Sequence, residues 1–326
     1  MTRRVVTTLL IFVNTYCTYY SSEGYVQTQW RYAPISMNIR GLKNGSGWNG
    51  GVSLPIGDKG ADTYVNWDGC IEERRTVTGT SFNPMPAGAT DLVIDANPTS
   101  GDFLVRWGPA LPGAIFTRKT SETSAQWSLD PVTTTANFGN EAYYTCPTEA
   151  RLLQTWDDAK RFGDYVDSLK VVGSTYHDIG MLWGARLLSP TGVFATNNNS
   201  GAVSSDNIER HLIFMTDGNT ETYVSDYAAY GIPWFDRRNV ATPGEGDAGV
   251  DSEVNARFEA LCTAVKNKNI TVWVISFGDG SNADTEARLQ RCASSGTYYF
   301  KAADSAALQT AFTSIATQIS QLRLTK

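Results

Sequence analysis

The chain has 326 residues, 41% of them hydrophobic and 18% charged, which is enough apolar material for a substantial core and the wrong balance for a disordered protein. Lys and Arg number 27 against 33 Asp and Glu, for a net charge of −6 and a pI near 5.1. No stretch gathers Lys and Arg into a stripe that could follow a phosphate backbone, which argues against a nucleic-acid partner.

The chain opens with Met1-Thr-Arg-Arg4 and the apolar run Val5–Val13, the outline of a signal peptide's basic and apolar regions. No small-x-small cleavage site follows, and Asn14-Thr-Tyr-Cys17 lacks the small residues of a lipoprotein site. The run is too short to span a bilayer, so the expectation is a core β-strand and no transmembrane segment. Up to Cys146-Pro147 the sequence is rich in Gly, Pro, Thr, Tyr and Trp. Strand-like runs at Tyr25–Trp30, Asp91–Ile94 and Phe103–Trp107 are separated by turn clusters such as Asn44–Gly51 and Asn83–Gly88. Residues 1–147 thus read as a β/loop-rich region. The adjacent carboxylates Glu72-Glu73 and Asp157-Asp158 point apart on any regular element, which predicts solvated charge.

Residues 148–326 alternate helical and strand patterns, the signature of a three-layer α/β unit with a mainly parallel sheet. Leu212–Met215 and Ile270–Phe277 are continuous apolar runs, as expected of strands covered by helices on both faces. Between them Val254, Phe258, Leu261, Cys262 and Val265 recur at helical spacing, with Asp251 and Ser252 available as caps. Leu308, Phe312, Ile315, Ile319 and Leu322 form the stripe of a closing helix. In such a fold ligands sit at the carboxyl ends of the strands, just after Met215 and Phe277.

The five cysteines, Cys17, Cys70, Cys146, Cys262 and Cys292, have no Cys-x-x-Cys spacing that would hold zinc or form a redox motif. Two disulfides and one spare thiol is the reading, with Cys262 paired to Cys292, its near neighbour along the chain, and Cys70 to Cys146. That arrangement requires an oxidising compartment. The alternative is five buried, reduced cysteines in a cytosolic protein.

One constellation carries chemistry: Gly173-Ser-Thr175, followed by Tyr-His-Asp-Ile-Gly180, and later an apolar strand ending Phe214-Met-Thr-Asp-Gly218. These resemble two of the three metal-site motifs of von Willebrand factor A domains. The resemblance implies a Rossmann-type three-layer fold, with Thr175 as a hydroxyl ligand and Asp217 as a carboxylate ligand of Mg²⁺. A hard cation favours such oxygen donors and leaves positions for water and for an acidic group of a partner. Wider text, Trp67–Arg74, Trp107–Gly113 and Tyr176–Pro190, resembles the TadG-related proteins of Tad/Flp pilus assembly systems. That family implies an extracytoplasmic, inner-membrane-anchored parent, with a long insertion before the Gly-x-Thr loop that residues up to about 150 match, and protein partners among pilus or envelope components.

The chain departs from the family in lacking Asp-x-Ser-x-Ser: Val5–Val13 runs into Asn14-Thr-Tyr-Cys17, which supplies no carboxylate. The expectation is therefore a domain incomplete at its N-terminus, from a truncated product or misplaced start, with a weak cation site. The function implied is non-enzymatic pilus assembly or surface adhesion. Against an enzyme stand the two histidines, His177 and His211, and the absence of Gly-x-Ser-x-Gly, His-Glu-x-x-His, P-loop and dinucleotide signatures. The competing readings are a carbohydrate- or cell-binding surface protein, suggested by 9 Trp and 15 Tyr, and a hydrolase with two carboxyls facing across a cleft. The loop Gly278–Asp284 reads as a turn, lacking the residue order of a calcium loop.

Overall fold

The computed structural model describes residues 10–12, 16–21, 24–29, 34–45, 47, 50–56, 61–99, 105–115, 143–199, 208–242 and 245–324, with the backbone alone up to residue 36 and beyond 321. The first part of the chain makes short antiparallel ribbons: β1 (Leu10–Phe12) with β4 (Pro34–Ser36), β2 (Tyr16–Ser21) with β3 (Gly24–Gln29), β5 (Gly51–Leu54) with β6 (Thr63–Asn66), and β7 (Ile71–Glu72) with β8 (Gly108–Pro109). Asp91–Ile94, expected as a strand, is instead a 3₁₀ turn over Thr90–Leu92 and the loop after it. The turn carries the Asp91 carboxylate into the interior, where it meets Arg257. The run expected at Phe103–Trp107 is no strand in its described part; Phe103 itself lies outside the described residues.

The second part of the chain follows as α1 (Ala159–Asp167), α2 (His177–Leu188), α3 (Ala195–Asn198), β9 (Arg210–Gly218), α4 (Pro233–Asp236), α5 (Gly246–Lys266), β10 (Ile270–Gly280), α6 (Ala283–Cys292), β11 (Tyr299–Ala302) and α7 (Ser305–Leu324). The three strands form one parallel sheet in the order β11-β10-β9. β10 is central and buried on both faces. Val272 and Val274 meet Met181, Leu182, Phe258, Leu261 and Leu289 of α2, α5 and α6, while Trp273 and Ile275 meet Ala311 and Ile315 of α7. This is the three-layer α/β arrangement expected of the pattern, at the scale of three strands.

β9 differs from the expectation of a strand covered twice. Leu212, Phe214 and Thr216 are buried, but Ile213 is 40% and Met215 50% exposed. The reason is position: among the described residues β9 ends the sheet, and α7 packs over β10 and β11. Two helix expectations shift as well. α5 starts at Gly246, so Asp251 and Ser252 lie inside it, and the Asp251 carboxylate accepts from the Thr222 hydroxyl (2.7 Å) instead of capping. On α7 the buried stripe runs through Ala311 and Ile315, leaving Phe312 42% exposed.

Residues on both sides of position 147 share the same cores. Phe82, Ala89, Leu92 and Ile94 pack with α2 and α5, and Met37, Leu42, Val52, Leu54, Val65 and Leu111 pack with Tyr227, Ile232 and Phe235. Each Val, Leu, Ile, Phe or Met side chain among them contributes roughly 1.5–3 kcal/mol when taken fully from water. Both expected disulfides are present: Cys70–Cys146, 76 positions apart with a Cα separation of 5.8 Å, and Cys262–Cys292, 30 positions apart with a Cα separation of 5.1 Å. Cys17 lies on β2, described by its backbone alone. Among the described residues no helix is long and apolar enough to cross a membrane.

Candidate functional site

The carboxyl end of β9 and the entry to α2 are joined by backbone. Gly173, at φ +90°, turns the chain toward α2; a side chain there would be strained, and its Cβ would lie 2.7 Å from Thr145 Oγ1. Thr175 then pairs with Glu221 as an isolated antiparallel bridge, its N–H donating to Glu221 O (2.7 Å) and Glu221 N–H donating to Thr175 O (3.3 Å). Asp217 is exposed at the end of β9, on the face shared with Ile213 and Met215. The Gly-Ser-Thr loop is thus stitched to the loop that follows Thr216-Asp-Gly218, and both predicted residues lie at the strand-end side of the molecule.

Carboxylates surround this junction. Ser174 Oγ donates to Asp226 (3.1 Å), Thr222 to Asp251 (2.7 Å), and the Val224 N–H to Asp247 (2.7 Å). Burial holds the Asp226 and Asp251 carboxyls above the ordinary range, and neighbouring Asp247 adds to it. The Tyr176 hydroxyl is pushed far up by burial and by Asp178, Asp226, Asp251 and Asp247. The face is therefore a region of negative potential.

His177, at the start of α2 and 3% exposed, belongs to a hydrogen-bond chain. Its Nε2 lies 2.9 Å from Thr216 Oγ1 and its Nδ1 3.1 Å from Thr220 Oγ1, while Thr220 Oγ1 donates to Asn255 Oδ1 (2.7 Å). Since the Thr220 proton goes to Asn255, Thr220 accepts from Nδ1–H, which leaves Nε2 unprotonated and facing Thr216 Oγ1, whose hydroxyl also lies 3.3 Å from the Gly218 carbonyl. Burial, with Arg288 nearby, pushes the imidazole down to about 4. A neutral ring with both nitrogens engaged ties α2 to the strand end and the α5 helix.

Behind the face lie buried ion pairs. Arg257 pairs with Asp178 (Nε, 2.9 Å) and with Asp91, and Tyr230 OH donates to Asp91 (2.8 Å). Glu72 and Glu73, expected in solvent, are 1% and 3% exposed. They do point apart, but each to a buried partner: Glu72 to Arg238 (2.7 Å) and Tyr227 OH (2.7 Å), Glu73 to Arg186 (2.6 Å) and Trp183 Nε1 (2.7 Å). Their strand inserts between the two parts of the chain, where solvent does not reach. Asp157 and Asp158 are surface residues, and Asp158 caps α1 by accepting from the N–H of Lys160 (2.8 Å) and Arg161 (3.2 Å).

For a cation, Thr175 and Asp217 bring one hydroxyl and one carboxylate. Among the described residues the single close grouping of three His, Cys, Asp or Glu side chains is Asp68 with Cys70 and Cys146, whose sulfurs are spent in the disulfide. No such group closes around Asp217. Mg²⁺ dehydrates reluctantly and demands octahedral geometry, so these donors do not by themselves make a Mg²⁺ site.

No family model matches the chain, and no curated protein sequence does. Among solved structures the chain is similar to two crystal structures of the pilus adhesin SpaC from Lactobacillus rhamnosus GG. One match has a TM-score of 0.32 and 14% identity, and the other, an open conformation, 0.31 and 16%. Each covers 49% of this chain and 21% of the adhesin chain, about a fifth of its length. Scores this low define neither the fold nor the activity.

Proposed function

We propose that the chain is a non-enzymatic binding factor of pilus assembly or surface adhesion, working outside the cytoplasm, and that its protein partner docks at the von Willebrand A-like face around Thr175 and Asp217. The observation that carries this reading is the Thr175–Glu221 bridge, which brings the two sequence motifs to one end of the parallel sheet, where α/β folds bind ligands. The two disulfides accord with an oxidising compartment.

The donor set limits any role of Mg²⁺ to weak assistance in this chain. Titration calorimetry with Mg²⁺ and with Mn²⁺ is expected to give no saturable heat at micromolar ion concentration; micromolar affinity would mean that further ligands complete the site. A second reading is favoured by Asp226, Asp247 and Asp251 beside the Thr175 loop: a basic partner group held directly, without metal. Chelation separates the two, since EDTA abolishes metal-bridged capture of a partner and leaves the direct ion pair intact.

A further inference from the structure

Asp68, Cys70 and Cys146 bring one carboxylate oxygen and two sulfurs within 4.8 Å of one another, with Asp68 exposed and both cysteines half-buried. More than the S–S bond holds this grouping. The turn Trp67-Asp-Gly-Cys70, with Gly69 at φ +99°, folds back so that the Asp68 carboxylate accepts from the Cys70 N–H (3.1 Å). The Cys70 carbonyl accepts from Trp67 Nε1 (2.5 Å) and from the Ala110 N–H (2.9 Å), which anchors that side. On the other side Tyr144 OH donates to Asp68, 3.0 Å from each carboxylate oxygen. The Tyr144 ring packs on Tyr227, 5.3 Å between centroids, and Tyr143 O accepts from the Tyr227 N–H (2.8 Å). None of these contacts uses the sulfur atoms, so opening the S–S bond leaves both thiols beside the carboxylate.

We infer that Asp68, Cys70 and Cys146 form a Zn²⁺ site when their disulfide is reduced, so that this part of the chain carries either the cross-link or the metal. Two thiolates with one carboxylate suit Zn²⁺ and disfavour Mg²⁺ and Ca²⁺, which take oxygen donors. Bonds of about 2.3 Å to sulfur and about 2.0–2.2 Å to oxygen put tetrahedral ligands roughly 3.7 Å apart. The three donor atoms already lie within 4.8 Å, and the sulfurs part to that spacing on Cα atoms 5.8 Å apart. Water takes the fourth position. The Tyr144 hydroxyl and the Cys70 N–H on the Asp68 oxygens fix the carboxylate as outer-shell donors do, and its remaining lone pairs face the ion. The redox step needs a dithiol reductant. One of its thiolates attacks a cysteine Sγ, the S–S bond breaks and the other cysteine leaves as thiolate; the reductant's second thiol then displaces the first cysteine. The reductant closes to a disulfide, the protein gains two electrons, and Zn²⁺ binding releases any proton still on the two thiols. Thiols are reduced before a chain meets an oxidising compartment, so the metal form precedes the cross-linked one.

The test uses the full chain reduced under native conditions with dithiothreitol and then freed of it by gel filtration without oxygen. Cys70 and Cys146 are half-buried, whereas Cys262 and Cys292 are 2% and 1% exposed, so the first pair is the one that mild reduction opens. Titration with Zn²⁺ against a chromogenic chelator is expected to give one ion per chain, bound about a hundredfold or more tightly than by the oxidised chain. Bound Zn²⁺ is expected to shield Cys70 and Cys146 from alkylation, read by mass spectrometry, and Co²⁺ in its place to show thiolate charge-transfer absorption with tetrahedral ligand-field bands. Asp68→Asn is expected to weaken binding about tenfold or more, and Tyr144→Phe about tenfold, while Cys17→Ser leaves it unchanged. The Asp68 variant keeps its disulfide when oxidised, so its folding is checked in that form by circular dichroism. Equal affinity in the two redox states, no shielding of Cys70 and Cys146, Co²⁺ bands without thiolate absorption, indifference to Asp68→Asn, or loss of the ion with Cys17→Ser would each overturn the inference. None of these readouts involves Thr175 or Asp217, so the reading of that face stands or falls separately.

Discussion

Arg257 occupies a position that the helical stripe Val254, Phe258, Leu261 assigns to an apolar side chain, and it is fully buried. Burial works against its charge, but Tyr230, Asp91 and Asp178 hold its affinity for the proton well above the usual value. Removing one member of such a set strands charge in the interior. Arg257→Met leaves two buried carboxylates uncompensated, and chemical denaturation at neutral pH is expected to show a loss of about 3–5 kcal/mol; a loss under about 1 kcal/mol would mean that the network is not buried in solution. Glu253, one turn earlier and 3% exposed, gives a pH signature. Burial, with Glu245 and Asp178 adding to it, raises its carboxyl from 4.5 to about 7 against the opposing pull of the Gly79 N–H and Arg257. The folded state therefore binds this proton more tightly than the unfolded chain, so the associated stability is present below about pH 4.5 and is lost as pH rises through about 7. Glu253→Gln is expected to flatten that part of the stability profile and to stabilise the protein above about pH 7, on the order of 2 kcal/mol. An unchanged slope between these pH values contradicts the assignment. Thr175 and Asp217 were legible because they sit in motifs. The buried pairs were not, since a charged residue within an apolar pattern reads as surface until its partner, 79 or 166 positions away in the case of Arg257, is known.

At the scale of elements, continuous apolar runs announced β9 and β10, and helical spacing announced α5 and α7. What the runs could not tell is which strand lies at an edge: Leu212–Met215 is as apolar as the centre of β10, yet half of it faces solvent. Nor could spacing locate helix starts, because Asp251 and Ser252 lie inside α5 and the Asp251 carboxylate serves a tertiary contact with Thr222 instead of a cap. The disulfides join elements and differ in span. In the loop-entropy description Cys70–Cys146, closing 76 positions, restricts the unfolded chain by about 4.5 kcal/mol, and Cys262–Cys292, closing 30, by about 3.6 kcal/mol. Cys70→Ser with Cys146→Ser is accordingly expected to lower the thermal midpoint more than Cys262→Ser with Cys292→Ser. The reverse order would show that native packing between α5 and α6, not chain entropy, dominates.

For the whole molecule, the alternation of patterns after residue 148 conveyed the three-layer architecture, while the packing of the first part onto it was illegible. The ribbons between residues 37 and 115 share cores with α2, α5 and residues 227–235, through contacts that no local pattern encodes. The function proposed rests on the face at the strand ends, and it is tested most directly by Asp217→Ala in the intact protein, read as surface attachment and pilus formation of cells that carry it. The expected result is reduced attachment with the variant present at its normal surface level and both disulfides formed. Unchanged attachment and unchanged pili at that level would contradict a partner-binding role for this face.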